Sequence, residues 1–260
     1  MAEREVAVRR PLLLSRRDMV KKLTAYIYVD GFNLFYGSLK RTSYKWLDLN
    51  KLAGFYFPKY EIKKIKYFSA VTKARKDDLD KPVRQLTYFR ALRTLPNLEI
   101  ISGTFLENEA TMFVPEKCQK TGRQKANVEF DKAQTRLPLL GKNYLVVKKT
   151  EEKGSDVNLA THLIVDVYEK KFDVAIIVSN DSDLAEPIKI ANSRDGLKVR
   201  LLNPYKKTNH KLQDAVNKDI KIIRKLALAN SQFFDDMVDI NGDFHKPDNW
   251  KTPSTPQFPQ

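Results

Sequence analysis

The apolar positions change period repeatedly along the chain, and each change predicts an element. Thr24–Val29 (TAYIYV) is a short β-branched and aromatic run closed by Asp30-Gly31, the pattern of a strand buried on both faces. Helical spacing follows over Asn33–Lys40 and again over Asp48–Phe55, and Ile62–Ala70 predicts a second strand. Between Asp77 and Leu95 the residues Leu79, Val83, Leu86, Phe89, Leu92 and Leu95 recur on one helical face. Pro82 then falls in the first turn, where proline is tolerated. Leu98–Phe105 (LEIISGTF) predicts a third strand, and Glu107–Gly141, with no steady period, an insertion or long β-ribbon. Extended structure resumes at Tyr144–Lys148. Ser155–Glu169 is amphipathic, with Val157, Ala160, Ile164 and Val167 in one stripe and Leu159 and Leu163 beside it. Val174–Ser179 (VAIIVS) predicts a buried strand, Asp181–Asn192 a helix, and Leu197–Leu202 and Asp219–Ile223 two more strands. Strands alternating with helices of this length predict an α/β fold, a mainly parallel sheet covered by helices on both faces.

Composition narrows the function. A hydrophobic content of 42% over 260 residues excludes wholesale disorder. The domain is expected over residues 23–235. Residues 1–22 read as a flexible extension, and 236–260, which hold Pro247, Pro253, Pro256 and Pro259, as a disordered or loosely docked tail. No apolar run approaches the ~18 residues that span a bilayer. The single cysteine, Cys118, excludes a disulfide framework and a Cys-rich zinc site, and points to a reducing, cytoplasmic setting. Lys and Arg number 47 against 32 Asp and Glu, a formal charge of +15, which favours a polyanionic partner, with nucleic acid ahead of an anionic membrane. The charge is clustered in Lys59–Lys76, Lys117–Lys125 and Lys198–Lys225.

Three acidic segments fall at predicted strand ends. Asp30 follows the first strand, Asp156 opens the helix after the strand at Tyr144–Lys148, and Asp181 and Asp183 follow VAIIVS. In open parallel sheets this carboxyl edge is where working sites lie. Each aspartate alone has a plain structural role as a helix cap or turn residue, and Asp183 and Glu186 are spaced like a capping box. Several carboxylates sharing one cleft need protons or a cation between them. Hard oxygen ligands without His or Cys suit Mg2+ or Mn2+, and a shared metal site accounts for all three segments at once. Capping and ligation are compatible.

The motifs Val29-Asp30-Gly31-Phe32-Asn33-Leu34, Glu152-Lys153-Gly154-Ser155-Asp156-Val157 and Val178-Ser179-Asn180-Asp181-Ser182-Asp183-Leu184 resemble, in order and placement, those of the NYN family of PIN-like nucleases, and within it the bacterial LabA-like branch. The resemblance covers roughly Leu23 to Phe234. It implies a Rossmann-like PIN fold and a metal-dependent nuclease acting mainly on RNA. Asp30, Asp156 and Asp181 match the family's metal-binding aspartates and Asp183 a fourth acidic position, with Mg2+ or Mn2+ as cofactor. Asn33 matches a polar residue that orients Asp30 or a substrate phosphate, and Lys153, Ser179 and Asn180 are carried over as substrate-binding. Asn180 stands where many relatives have glycine. Water is the implied nucleophile, leaving a 5′-phosphate and a 3′-hydroxyl.

Two other classes compete with the ribonuclease: a regulatory adaptor that binds nucleic acid without turnover, and a phosphatase of small molecules. Tyr205 and Phe55-Tyr56-Phe57 are expected to pack rather than stack on bases, and His162 to pack rather than act as a base. Asp166 and Asp173 are expected to face solvent. Nothing in the sequence marks a dimer surface.

Overall fold

The computed structural model of the protein describes residues 22–74, 78–113 and 144–251. Nearly all of the expected N-terminal extension, the end of the tail, Cys118 and the Lys117–Lys125 cluster lie outside the described residues. Six strands form one parallel sheet: β1 (Thr24–Asp30), β2 (Glu61–Ser69), β3 (Leu98–Ser102), β6 (Val174–Val178), β7 (Lys198–Asn203) and β8 (Ile220–Ile222). Their order across the sheet is β3-β2-β1-β6-β7-β8, and every neighbouring pair is parallel. The chain moves outward from β1 to β3, then returns to β6 beside β1 and moves outward the other way. The reversal between β1 and β6 opens a crevice above their carboxyl ends.

The period of two in the central strands builds the two layers. Ala25, Ile27 and Val29 of β1, with Val174, Ile176 and Val178 of β6, feed one core. That core is closed by α2 (Leu49–Tyr56), α3 (Lys81–Arg93) and a later helix, α7 (Lys225–Asn230). Tyr28, Ala175 and Ile177 point to the other face, which is covered by α4 (Ser155–Tyr168), α5 (Ala185–Asn192) and α6 (His210–Ala215). Ile176 and Ile177 are both fully buried, one on each side, and each contributes roughly 1.5–3 kcal/mol of transfer free energy. The uninterrupted apolar run is the signature of a strand sandwiched between helices.

Several expectations need correction. The predicted third strand is two strands: Gly103 separates β3 from β4 (Thr104–Phe113), which leaves the sheet and pairs antiparallel with β5 (Tyr144–Lys153). Residues 104–113 and 144–153 are therefore the arms of a β-ribbon, and 114–143 lie outside the described residues. In α3 the buried residues are Tyr88, Phe89, Ala91 and Leu92, whereas Val83 and Leu86 are exposed, as is Leu79, which precedes the helix. In α4 the buried line runs Leu159, Leu163, Asp166 and Val167, and Val157 is exposed. The tail is not loose over its first part. β9 (Asp236–Asp239) and β10 (Gly242–His245) form a hairpin, with Phe244 buried and both Phe244 and Trp250 ring-packed on Trp46. Among the described residues no helix is long and apolar enough to cross a membrane.

Candidate metal centre

Asp30 ends β1 and caps α1 (Gly31–Leu34), its Oδ1 accepting the Asn33 backbone N–H at 2.8 Å. Its Oδ2 accepts the Ser179 hydroxyl at 2.9 Å. The side chain is only 3% exposed. Room for this geometry comes from Gly31. A Cβ there would lie 2.7 Å from the Tyr67 ring and 2.9 Å from the Phe68 carbonyl oxygen, so only glycine lets the chain turn so close to β2. The helix does not continue as a plain α-helix, because Phe35–Leu39 is a π turn, a distortion often found beside functional sites.

Asp181 lies three residues beyond β6 and caps the 3-10 turn Ser182–Leu184, accepting from the Asp183 N–H at 3.0 Å. Ser179, fully buried, accepts the Asp181 N–H at 3.0 Å with the oxygen that serves Asp30. One hydroxyl thus ties two acidic segments together. Asp156 arrives from the ribbon. Gly154, at φ +95°, is the N-cap of α4 and takes the left-handed turn that glycine accepts at low cost. Gly103 lets the ribbon pack against this corner: a Cβ on it would meet the Glu152 carboxylate at 2.6 Å and the Lys153 carbonyl at 2.8 Å. The Glu152 carboxylate accepts the Ser155 N–H, and Asp156 sits in the first helical turn, where a negative charge faces the positive end of the helix.

The outcome is a group of three carboxylates. Asp30, Asp156 and Asp181 each offer an oxygen, and these oxygens all lie within 4.8 Å of one another. Burial pushes Asp156 up to about 7, helped by Asp30, Asp181, Glu152 and Asp183. Burial also raises Asp30, against the stabilising bonds from Asn33 and Ser179 and with Asp181 adding to the rise. A cluster that holds protons this tightly is stabilised by a cation of matching hardness. Three carboxylate donors fit a divalent ion that prefers oxygen and keeps positions for water or phosphate.

The other expected site residues separate into two kinds. Asn33 and Asn180 are staples: the Asn33 Oδ1 accepts the Asn180 N–H at 3.1 Å, and Asn180 in turn donates to the Lys207 carbonyl and accepts from the Asn209 N–H. Asn180 thereby holds the loop after β7 against the site, which a glycine there would not do. Asp183 is not in the three-carboxylate group, and bears on it through its charge on Asp156. Lys153 is exposed and pairs with Glu151 at 3.0 Å. Tyr205 is nearer the carboxylates than its sequence position suggests. Burial and the charges of Asp30 and Asp181 raise its hydroxyl, and its ring covers Gly37 so closely that a Cβ there would sit 2.7 Å away.

A second polar cluster lies behind the site. Asp166 is 1% exposed, not solvent-facing as expected, because Lys66 of β2 is buried beside it. Asp166 accepts from Lys66, from the Tyr28 hydroxyl at 2.7 Å and from Lys171 at 3.0 Å. Burial works to raise this carboxyl, and these donors together hold it below its ordinary value. His162 packs on Phe68 and sits 3.1 Å from the Lys66 amine, and so is a packing residue. Asp173 is exposed, as expected, and accepts from Thr24. Tyr56 and Phe57 are buried, and Phe55 is exposed.

Residues 111–223 match the model of the NYN domain family. Asp156 and Asp181 fall inside that match, and Asp30 is brought to them by the fold from outside it. The chain is 29% identical over 216 residues to 6-hydroxy-3-succinoylpyridine 3-monooxygenase HspA of Pseudomonas putida, covering 74% of this chain and 62% of that protein. The chain thus spans a little under two thirds of that relative's length. Among solved structures, a Vibrio parahaemolyticus protein of unknown function aligns at a TM-score of 0.47 and 16% identity, over 82% of this chain and 97% of that one.

Proposed function

We propose that this chain, whose residues 111–223 match the NYN domain model, is a metal-dependent nuclease that hydrolyses RNA phosphodiester bonds at Asp30, Asp156 and Asp181. Within the family we place it on the LabA-like branch, from the three motifs. One observation carries the functional reading: carboxylates from three separate segments converge within 4.8 Å at the switch point of a parallel sheet, on a chain of net charge +15. Asp30, Asp156 and Asp181 would hold Mg2+ or Mn2+, with Asp183 at the rim. When bound, such an ion polarises a phosphate oxygen and makes water a stronger nucleophile.

The chain's own residues do the rest. Ser179 and the Asn33 N–H hold both oxygens of Asp30 in place. Asn180 keeps the Lys207–Asn209 loop, with its positive charge, at the edge where a phosphate chain would approach. Burial of Asp30 limits bulk water around its own carboxylate.

The name of the Pseudomonas putida relative gives a second reading, oxygenation of a pyridine ring. The test is incubation of purified protein with end-labelled single-stranded and structured RNA in Mn2+, Mg2+ or EDTA. Asp30→Asn and Asp181→Asn run beside it after their folding is checked. Each variant should lose more than the roughly 10–100-fold that removal of a supporting partner costs. RNA bound but left intact would favour an adaptor. Oxygen uptake with a pyridine substrate and reductant, in place of cleavage, would favour the second reading.

A further inference from the structure

Next to Asp30 along the chain, lined by Gly31 and Phe32, is a cavity of about 450 Å3 to which none of the three carboxylates contributes. Gly31 and Phe32, the residues after Asp30, form its inner wall, with Tyr67 and Ser69 from the carboxyl end of β2. Its size is in the range of pockets that enclose a small ligand. Two features of the lining are unusual together. Phe32, Phe35, Tyr36 and Trp250 present aromatic surface. Among the described residues, Lys40, Lys45, Lys81 and Arg84 line the same space against a single carboxylate, Asp78.

Arg84 is engaged by Asp78, so that pair is close to neutral. Lys45 donates to the Thr42 carbonyl at 2.7 Å, which leaves its charge uncompensated by that bond. Lys40 sits 4.8 Å over the Tyr36 ring. Burial and the nearby Arg84 lower Lys45 below its ordinary value, a cost that an incoming anion would relieve. Thr72 also lines the cavity, and its buried Oγ1 has no hydrogen-bond partner among the described residues. A donor without a partner in a cationic, aromatic pocket calls for a ligand that brings acceptors and a flat ring.

We propose that this cavity is a nucleotide subsite, with a base held among Phe32, Phe35, Tyr36 and Trp250 and a phosphate held by Lys45 and the Thr72 hydroxyl. Its place next to Asp30 makes the occupant the nucleotide flanking the scissile bond. That last step rests on the nuclease reading, whereas occupancy by a nucleotide does not. The subsite explains how a chain whose basic clusters carry no sequence register places one phosphodiester over the carboxylates: a flanking nucleotide seated in a built pocket fixes the register of the strand.

The test is calorimetric titration of the full-length protein in EDTA, where no turnover occurs, with adenosine and uridine 5′-monophosphate. Inorganic phosphate and a pyridine carboxylate serve as competing probes. Lys45→Gln removes the charge and Tyr36→Ala removes a ring that is 43% exposed, with Lys189→Gln, an exposed cation on α5, as control. The expected result is saturable nucleotide binding, weakened about tenfold or more in both pocket variants and unchanged in the control. Circular dichroism melts establish that the variants are folded. Equal binding of phosphate and nucleotide, tighter binding of the pyridine carboxylate, or indifference to both variants would overturn the assignment. RNA cleavage by a wild type that shows no pocket binding removes the subsite and keeps the nuclease. Pocket binding without cleavage does the reverse.

Discussion

Asp156 is the residue on which the electrostatics of the site turn. Its carboxyl rises from an ordinary 3.8 to about 7, first through burial and then through Asp30 and Asp181. The native chain therefore holds this proton more tightly than the unfolded chain between those two values. Stability conferred by the bound proton is lost as pH rises through that window. In EDTA the melting temperature should fall as pH rises from 4 to 7.5, and Asp156→Asn, which has no proton to lose, should flatten the profile. At pH 7.5 without metal the variant should melt a few degrees above wild type. A variant that melts lower, with the same pH slope, would show that Asp156 is not under this strain. The residue types of the site were legible in the sequence because acidic side chains at strand ends have few purposes. The supporting partners were less so. Ser179 is one hydroxyl amid polar residues, and nothing local says that it would serve Asp30 and Asp181 at once.

At the scale of elements, the site depends on how α4 is held, because Asp156 sits in its first turn. Two turns and more along the same helix, Asp166 is fixed to the sheet by Lys66 and Tyr28. Lys66→Met keeps the volume and leaves Asp166 buried with fewer partners, which should cost about 3 kcal/mol in urea unfolding. A loss below about 0.5 kcal/mol would mean that Lys171 and Tyr28 suffice. This pair explains two failures of pattern reading. Lys66 sits in a basic stretch that looks like solvated surface, and Asp166 interrupts an apolar stripe, yet each is buried because the other is there. The α3 face failed for a different reason. Leu79, Val83 and Leu86 have helical spacing, but the core lies under the second half of the helix, against Tyr88, Phe89 and Leu92. Periodicity tells which residues share a face and not how far the neighbouring layer extends. Gly103 shows the limit for strands: a β-prone run looks continuous, while a close approach to Glu152 and Lys153 redirects it into the ribbon.

For the whole molecule, topology brings the parts together. β1 and β6 are adjacent in the sheet and far apart in sequence, and the order of strands reverses between them. Alternating strands and helices in the sequence were enough to predict the α/β class and the edge at which the aspartates would meet. The hairpin at Asp236–His245 was hidden, since single aromatics, Phe244 and Trp250, do its anchoring amid polar and proline-rich sequence. The charge of +15 acts at this scale as well. RNA binding by the full chain should weaken steeply with salt, with a log–log slope of about −0.7 for each phosphate neutralised on a single strand. A slope near zero would place recognition in the pocket and centre alone, with no role for the basic surface.

The most direct test of the metal centre is titration of metal-free protein with Mn2+ at pH 7.5, followed by electron paramagnetic resonance. Wild type is predicted to bind the ion at Asp30, Asp156 and Asp181. Asp30→Asn and Asp181→Asn should each weaken binding by at least the roughly 10–100-fold expected for loss of a supporting contact, with the fold intact by circular dichroism. Equal Mn2+ affinity in wild type and both variants would contradict a shared cation site and return the three aspartates to capping their helices.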